Sequence, residues 1–207
     1  MADGQKSLVA AVAGLPLFSE INRSELEELA VRTKARVRVV PANTLISPLG
    51  QPARELFVVV HGRVRVYSAG QTESDRHLVD VVGDGAVLNA VVAFLNGEPM
   101  PVECIATSET EVLSLDLEAL RELCLGGGHE RIAANLLETA ARTALGYLLK
   151  LSMLACYETR DRVQMMERLR DSGEKLSSCE LAEYLAVNRT ALYRAIKPSS
   201  TLSHLRQ

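Results

Sequence analysis

An α+β fold is predicted by three observations. From Thr33 to about Asp116 the apolar residues recur at every second position, and on both sides of that segment they recur at helical spacing. Close to the C-terminus, two short helical stretches meet at a tight turn.

Each element follows from local chemistry. Residues 16–31, PLFSEINRSELEELAV, predict a helix that Ser19 or Asn22 can cap, with acids in its first turns and an apolar face of Leu26, Leu29 and Val31. KARVRVV then alternates strictly, at the period of a strand. ELFVVVHGRVRVYSAG is an apolar strand, a His61-Gly62 turn and an alternating strand. RHLVDVVGDG and VECIATSETEVLSL add further strands, so this segment is a barrel or sandwich of short strands. From Leu117 the helical period returns, and Gly126-Gly127-Gly128 breaks it. HERIAANLLETAARTALGYLLKLSMLACYE then runs without proline, and a helix of this length spans about 40 Å. Its stripe of Ile132, Leu136, Leu137, Ala140, Ala144, Tyr147, Leu148 and Leu151 is longer than a small core, which predicts that part of it packs on a second copy of the chain. The expected division is therefore 1–125, a long dimerisation helix at 129–156, and a C-terminal domain at 157–207.

The totals narrow the class. The chain has 207 residues, 47% apolar and 24% charged, with a net charge of -3. No apolar run approaches the length of a membrane span, so a cytoplasmic protein without a membrane partner is expected. Cys104, Cys124, Cys156 and Cys179 form no C-x-x-C pair, which predicts reduced, mostly buried thiols rather than a metal site. No Ser-His-Asp order, Walker loop or H-E-x-x-H is found, and an enzyme is not expected.

The stretch SSCELAEYLAVNRTALYRAI has two readings, a helix pair that reads DNA and a helical hairpin with a solvated basic face. Ser177 or Ser178 can cap its first helix, whose apolar face is Leu181, Ala182 and Leu185. After the turn at Ala186-Val187, Asn188 can cap a second helix in which Leu192 and Ile196 face inward. That helix offers Asn188, Arg189, Thr190, Tyr193, Arg194 and Lys197 to solvent, with no acid among them. Arginine can pair bidentately with a guanine edge, and hydroxyls and amides can meet bases or phosphates. The net negative charge is only weak evidence against this, because phosphate attraction follows the local patch and not the chain sum.

This order of parts resembles the CRP/FNR family of bacterial transcription regulators over essentially the whole chain. PANTLISPLGQPARELFVVVHGRVRVYSAG is similar to the family's first β-roll strands, and VVGDGAVL to the opening of its phosphate-binding cassette. LSSCELAEYLAVNRTALYRAI is similar to its helix-turn-helix. The resemblance implies a cyclic-nucleotide-binding-like β-roll and a homodimer reading a pseudo-palindromic operator in double-stranded DNA, with RNA polymerase as a further partner. It places Arg189, Thr190 and Arg194 toward the major groove, and Ser177, Ser178 and Cys179 near the DNA backbone.

Two departures qualify what it implies. Leu88 or Asn89 stands where nucleotide-binding members carry a ribose-binding Glu, and EPMPVE replaces their Arg-Ser pair. A cyclic phosphate would lose its charge-assisted partner on entering such a pocket. Cyclic AMP and cyclic GMP are therefore not expected, and an effector pocket at Leu88, Asn89, Val92, Met100 and Val102 is apolar. Haem is a candidate, with His77, Met100, Cys104 and His129 as ligands that also have ordinary structural readings. Second, Pro198 should stop the recognition helix, and SSTLSHLRQ is too short for the family's wing. The alternative is a sensor or adaptor that has lost DNA binding and acts through protein contacts.

Overall fold

The computed structural model describes residue 9 and residues 11–70, 76–95, 97–169 and 176–196. The described strands form two four-stranded antiparallel sheets. The first has the order β1 (Arg36–Val40), β8 (Thr110–Asp116), β3 (Glu55–His61), β6 (Val87–Leu88). The second has the order β2 (Leu45–Ser47), β7 (Val102–Ala106), β4 (Val64–Ser68), β5 (His77–Val82). Helices precede and follow them: α1 (Arg23–Arg32), α2 (Leu117–Leu125), α3 (Glu130–Cys156), α4 (Thr159–Leu169), α5 (Ser178–Tyr184) and α6 (Arg189–Ala195).

The segment expected as one helix over 16–31 is interrupted. Pro16–Phe18 is a single 3-10 turn, and Glu20 takes a left-handed φ of 59°. The helix starts afresh at Arg23 because the Asn22 side chain accepts the Glu25 N–H at 3.0 Å. Val31, expected on its apolar face, is exposed.

Why ELFVVV is an apolar run rather than an alternating one is now plain. Phe57 and Val59 point between the sheets, to Val64, Val66, Cys104 and Val112. Leu56 and Val58 point the other way, into a core with Phe18, Leu29 and Leu120. A strand covered on both faces needs apolar residues at both parities. The outer face of the second sheet is covered too, since Tyr67, Leu78 and Val81 pack with Met153, Val163, Leu181, Leu185 and Leu192. The C-terminal helices thus rest on the strands of their own chain.

Gly62 closes the β3–β4 turn at φ 120°, and a Cβ there would stand 2.6 Å from Thr110 Oγ1 and 2.8 Å from its Cα. Strain and backbone overlap coincide, so Gly62→Ala is expected to cost about 1–3 kcal/mol of stability. Urea unfolding followed by circular dichroism checks this; an unchanged midpoint would refute it.

The long helix divides its apolar residues between two faces, which corrects one expectation. Ile132 and Leu136 are buried within the chain's own core, and Ala140 packs against it, so these three are not free to form a seam with a second copy. Leu137, Leu148 and Leu151 are 65%, 60% and 63% exposed, and Ala144 is half-buried.

Candidate functional site

Two regions carry chemistry, a cavity and an exposed helical face. The cavity has a volume of about 410 Å³ and lies between the second sheet, the β6–β7 segment and α3. The five residues expected at an effector pocket, Leu88, Asn89, Val92, Met100 and Val102, all line it. So do Asp80 on β5 and Thr139, Arg142, Thr143, Gly146 and Tyr147 on α3, none of which sequence reasoning had placed at this site. Nothing in their local spacing signals it, because β5 and α3 meet only in the fold.

Asn89 faces this space with its amide already engaged. Its Oδ1 accepts from the Ser47 hydroxyl at 3.1 Å and its Nδ2 donates to the Glu55 carbonyl at 3.0 Å. It holds a left-handed φ of 69° at the head of the 3-10 turn Ala90–Val92. Asn89 is therefore a scaffold for the cavity rim. The turn is held from the other side by Arg121, which donates to the carbonyls of Ala93 and of Leu95, the latter at 2.6 Å.

The candidate haem ligands are dispersed. Met100 and Cys104 line the cavity, His77 lines a different one, and His129 sits at the start of α3 with Nε2 3.5 Å from Glu28. Burial, with Glu103 adding to it, pushes the Cys104 thiol up to about 12, so it is not a ready thiolate ligand. Among the described residues no group of three or more His, Cys, Asp or Glu could hold a metal ion. All four cysteines are free, but Cys156 and Cys179 are exposed, which corrects the expectation of mostly buried thiols.

A second cavity, about 380 Å³, lies where β5, α3 and α5 meet. Lys150 crosses it, donating to the carbonyls of Leu78 and of Val79 (2.8 Å) with its ammonium 3.7 Å from the Tyr184 ring centroid. Burial pulls Lys150 down to about 8, against the opposing influence of Asp80. One residue of the long helix thus touches both the strands and α5.

The exposed face belongs to α5 and α6. The Ser177 hydroxyl accepts the Glu180 N–H at 3.3 Å and Glu180 Oε2 accepts the Ser177 N–H at 2.9 Å, a reciprocal capping box. Asn188 Oδ1 accepts the Ala191 N–H at 2.8 Å and starts α6. Ala186 turns the chain at φ 52°, and Leu181, Leu185 and Leu192 close the space between the helices. Asn188, Arg189, Thr190, Tyr193 and Arg194 stand exposed, with Cys179 exposed and Ser178 half-buried beside them. Tyr193 donates to Ser178 Oγ at 3.3 Å, and Ser178 and then Arg189 lower its hydroxyl below the ordinary range. Lys197, Pro198 and the tail lie outside the described residues.

Residues 37–126 match the family model of the cyclic nucleotide-binding domain. Among curated proteins, the cyclic nucleotide-gated potassium channel mll3241 of Mesorhizobium japonicum is 33% identical over 113 residues, 55% of this chain and 29% of the channel. A second such channel, RHE_CH03180 of Rhizobium etli, is 33% identical over 104 residues, 50% of this chain and 26% of the channel. The chain spans less than a third of the length of these curated relatives. No helix among the described residues is long and apolar enough to cross a membrane.

Among solved structures, three superpose on the β-roll and the helices after it. The c-di-GMP-responsive global regulator CLP of Xanthomonas campestris superposes with a TM-score of 0.66 at 20% identity, over 80% of this chain and 86% of that one. The catabolite activator protein of Thermus thermophilus gives 0.57 at 23% identity, over 87% and 84%. FixK2 of Bradyrhizobium japonicum gives 0.62 at 20% identity, over 78% and 82%. These establish a β-roll of the cyclic nucleotide-binding fold followed by helices, an α+β architecture.

Proposed function

We propose that the chain is an effector-responsive, homodimeric, DNA-binding transcription regulator. The observation that carries this reading is the exposed face of Arg189, Thr190, Tyr193 and Arg194 on a capped two-helix unit attached to the cyclic nucleotide-binding domain by α3. None of the four is acidic, and all four are exposed. In a dimer the two α6 helices would occupy successive major grooves about 34 Å apart and read a pseudo-palindrome. Ser177, Ser178, Cys179 and Asn188 would lie along the backbone, and Lys197 would extend the basic face.

The effector is not a cyclic nucleotide. Such a ligand would bring an anionic phosphate against Leu88, Val92, Met100 and Val102, with no free cation among the lining residues to receive it. Its binding would act by favouring one arrangement of α3 and the helices beyond it, which requires different affinities for the two arrangements.

Selection from random duplex DNA, with fluorescence anisotropy at two salt concentrations, tests this. A two-fold-symmetric motif whose affinity falls steeply with salt is the expected result. Arg189→Ala is expected to weaken the selected site by about 1–3 kcal/mol and to relax specificity at one base pair. Unchanged affinity would remove Arg189 from the interface.

A second reading is supported by one contact. Glu180 of α5 is fastened to the β3–β4 turn by Arg63 and to β4 by Arg65, which favours an adaptor whose C-terminal helices serve as a fixed part of the domain surface. It predicts no salt-dependent DNA affinity under any ligand condition.

A further inference from the structure

The large cavity has an unbalanced charge. Asp80 is the one carboxylate among its lining residues and Arg142 the one cation. Arg142 is engaged elsewhere: its Nε and Nη2 donate to Glu138 Oε1 at 2.9 and 2.7 Å, on the outer surface of α3, where its side chain is 78% exposed. Asp80 has one hydrogen bond among the described residues, from the N–H of its own neighbour Val81 to Oδ1 at 2.8 Å. Its other oxygen receives no donor from the described chain. Lys150 is the cation that acts on it electrostatically, but no ion pair within 4.0 Å joins them, and the ammonium is held by Leu78, Val79 and Tyr184. Burial accordingly pushes the Asp80 carboxyl upward, opposed by the Val81 N–H and by Lys150. Beside it Tyr147 presents an aromatic ring to the same cavity, and its hydroxyl has no hydrogen-bond partner among the described residues. The remaining wall is mostly aliphatic.

An acid with one oxygen lacking a donor, an aromatic ring and a hydrocarbon wall together select one chemistry. We propose that this cavity binds a small, predominantly apolar amine, its nitrogen donating to Asp80 against the Tyr147 ring and its body packed on Val82, Leu88, Val92, Met100 and Val102. An ammonium gives the carboxylate the charge-assisted partner that the chain withholds, and the ring face adds attraction for the cation. An alcohol gives a neutral hydrogen bond only. A carboxylate or phosphate meets Asp80 as a like charge in a poorly hydrated space. The volume is at the small end of the ordinary range for ligand cavities, about 300–1,000 Å³.

This inference deepens the effector reading above and rests on it for its regulatory meaning, but binding can be measured without DNA. The full chain is titrated by calorimetry with hexylamine and phenethylamine, then with hexanol, hexanoate and cyclic AMP. Asp80→Asn keeps the acceptor for the Val81 N–H while removing the charge. Gly146→Phe projects a ring into the cavity from a helix position where a Cβ meets nothing within 4 Å. Circular dichroism melts establish that both variants are folded.

The expected result is that the amines bind about tenfold or more tightly than hexanol, that hexanoate and cyclic AMP do not bind, and that Asp80→Asn loses about tenfold or more of the amine affinity. Gly146→Phe abolishes binding. The proposal is overturned if no amine binds, if hexanoate or cyclic AMP binds as tightly as the amines, or if Asp80→Asn binds them unchanged. Asp80-dependent amine binding that leaves the affinity for the selected DNA unmoved would uphold the site and sink the regulatory reading.

Discussion

Glu180→Ala is expected to lower the free energy of unfolding by about 2–4 kcal/mol and to release α5 and α6 from the β-roll. Glu180 is 2% exposed. Its carboxylate accepts from Arg63 Nη2 at 3.1 Å, Arg65 Nε at 2.9 Å and the Ser177 N–H at 2.9 Å. Removing it takes the carboxylate from Arg63 Nη2 and Arg65 Nε and leaves one helix N-terminus without half of its capping box. The figure sits below the usual range for breaking a fully buried pair, because the arginine side chains are 28% and 36% exposed and can recruit water. Glu180→Gln, which keeps the shape and loses the charge, should cost less. Denaturant unfolding gives the magnitude. Hydrogen exchange gives the location: amides of α5 and α6 should exchange faster in Glu180→Ala while those of β3 and β8 keep their protection. Uniform acceleration, or none, would show that the ion pair does not hold the helices to the strands.

The same contact fixes a pH dependence. Burial works against ionisation of Glu180, but the Ser177 N–H, Arg65, the Ser177 hydroxyl and Arg63 outweigh it and hold the carboxyl below its ordinary value. The unfolded chain therefore binds this proton more readily than the folded one. The contribution is complete above the unfolded value of about 4.3 and is lost as the pH falls through the lower, folded value. The difference in stability between the native chain and Glu180→Ala should shrink only in that acid range.

Local rules made much of the fold legible and left the sites half hidden. Alternation at KARVRVV, the two-sided apolar run at ELFVVV and the glycine at position 62 are each determined within a few residues, so the strands and the β3–β4 turn could be read directly. The caps at Asn22, Ser177 and Asn188 act across three residues and were legible for the same reason. The interruption at Ser19 and Glu20 was not, because a helical apolar period continues across it and only the docking of Leu17 and Phe18 in the core breaks it. Glu180 and Arg63 are 117 residues apart, and nothing near either one names the other. Asp80 reads in sequence as the polar residue of an alternating strand, and its place in a cavity depends on the packing of α3. The long helix misled in a simple way. Its stripe is wide enough to be two faces, and the residue that turns inward differs from the one that turns outward by a single position, as Leu136 and Leu137 show.

That division sets the second large expected effect, which concerns the assembly. Leu148→Glu combined with Leu151→Glu should convert a dimer to a monomer. Once Ile132, Leu136 and Ala140 are assigned to the core, the outward residues Leu137, Ala141, Ala144, Leu148, Leu151 and Ala155 recur at alternating intervals of four and three. That is the spacing of a two-helix seam. Leu145 and Leu149 flank it at 57% and 55% exposure. An apolar stripe along a 27-residue helix, about 40 Å, is more than a monomer ordinarily leaves to water. Burying a leucine contributes about 1.5–3 kcal/mol, so the four leucines lost from a symmetric pair remove several kcal/mol, and four carboxylates facing one another add repulsion. In the single chain these side chains touch solvent, so the β-roll should keep its melting behaviour. Sedimentation velocity reads the result: a native dimer that becomes a monomer at the same concentration supports the seam. An unchanged mass, or a native chain that is already monomeric, would reassign this face. A pseudo-palindromic operator requires two copies of α6 in fixed relation. The double variant should therefore lose the selected site while keeping whatever weak, salt-sensitive affinity one exposed face of Arg189 and Arg194 provides by itself.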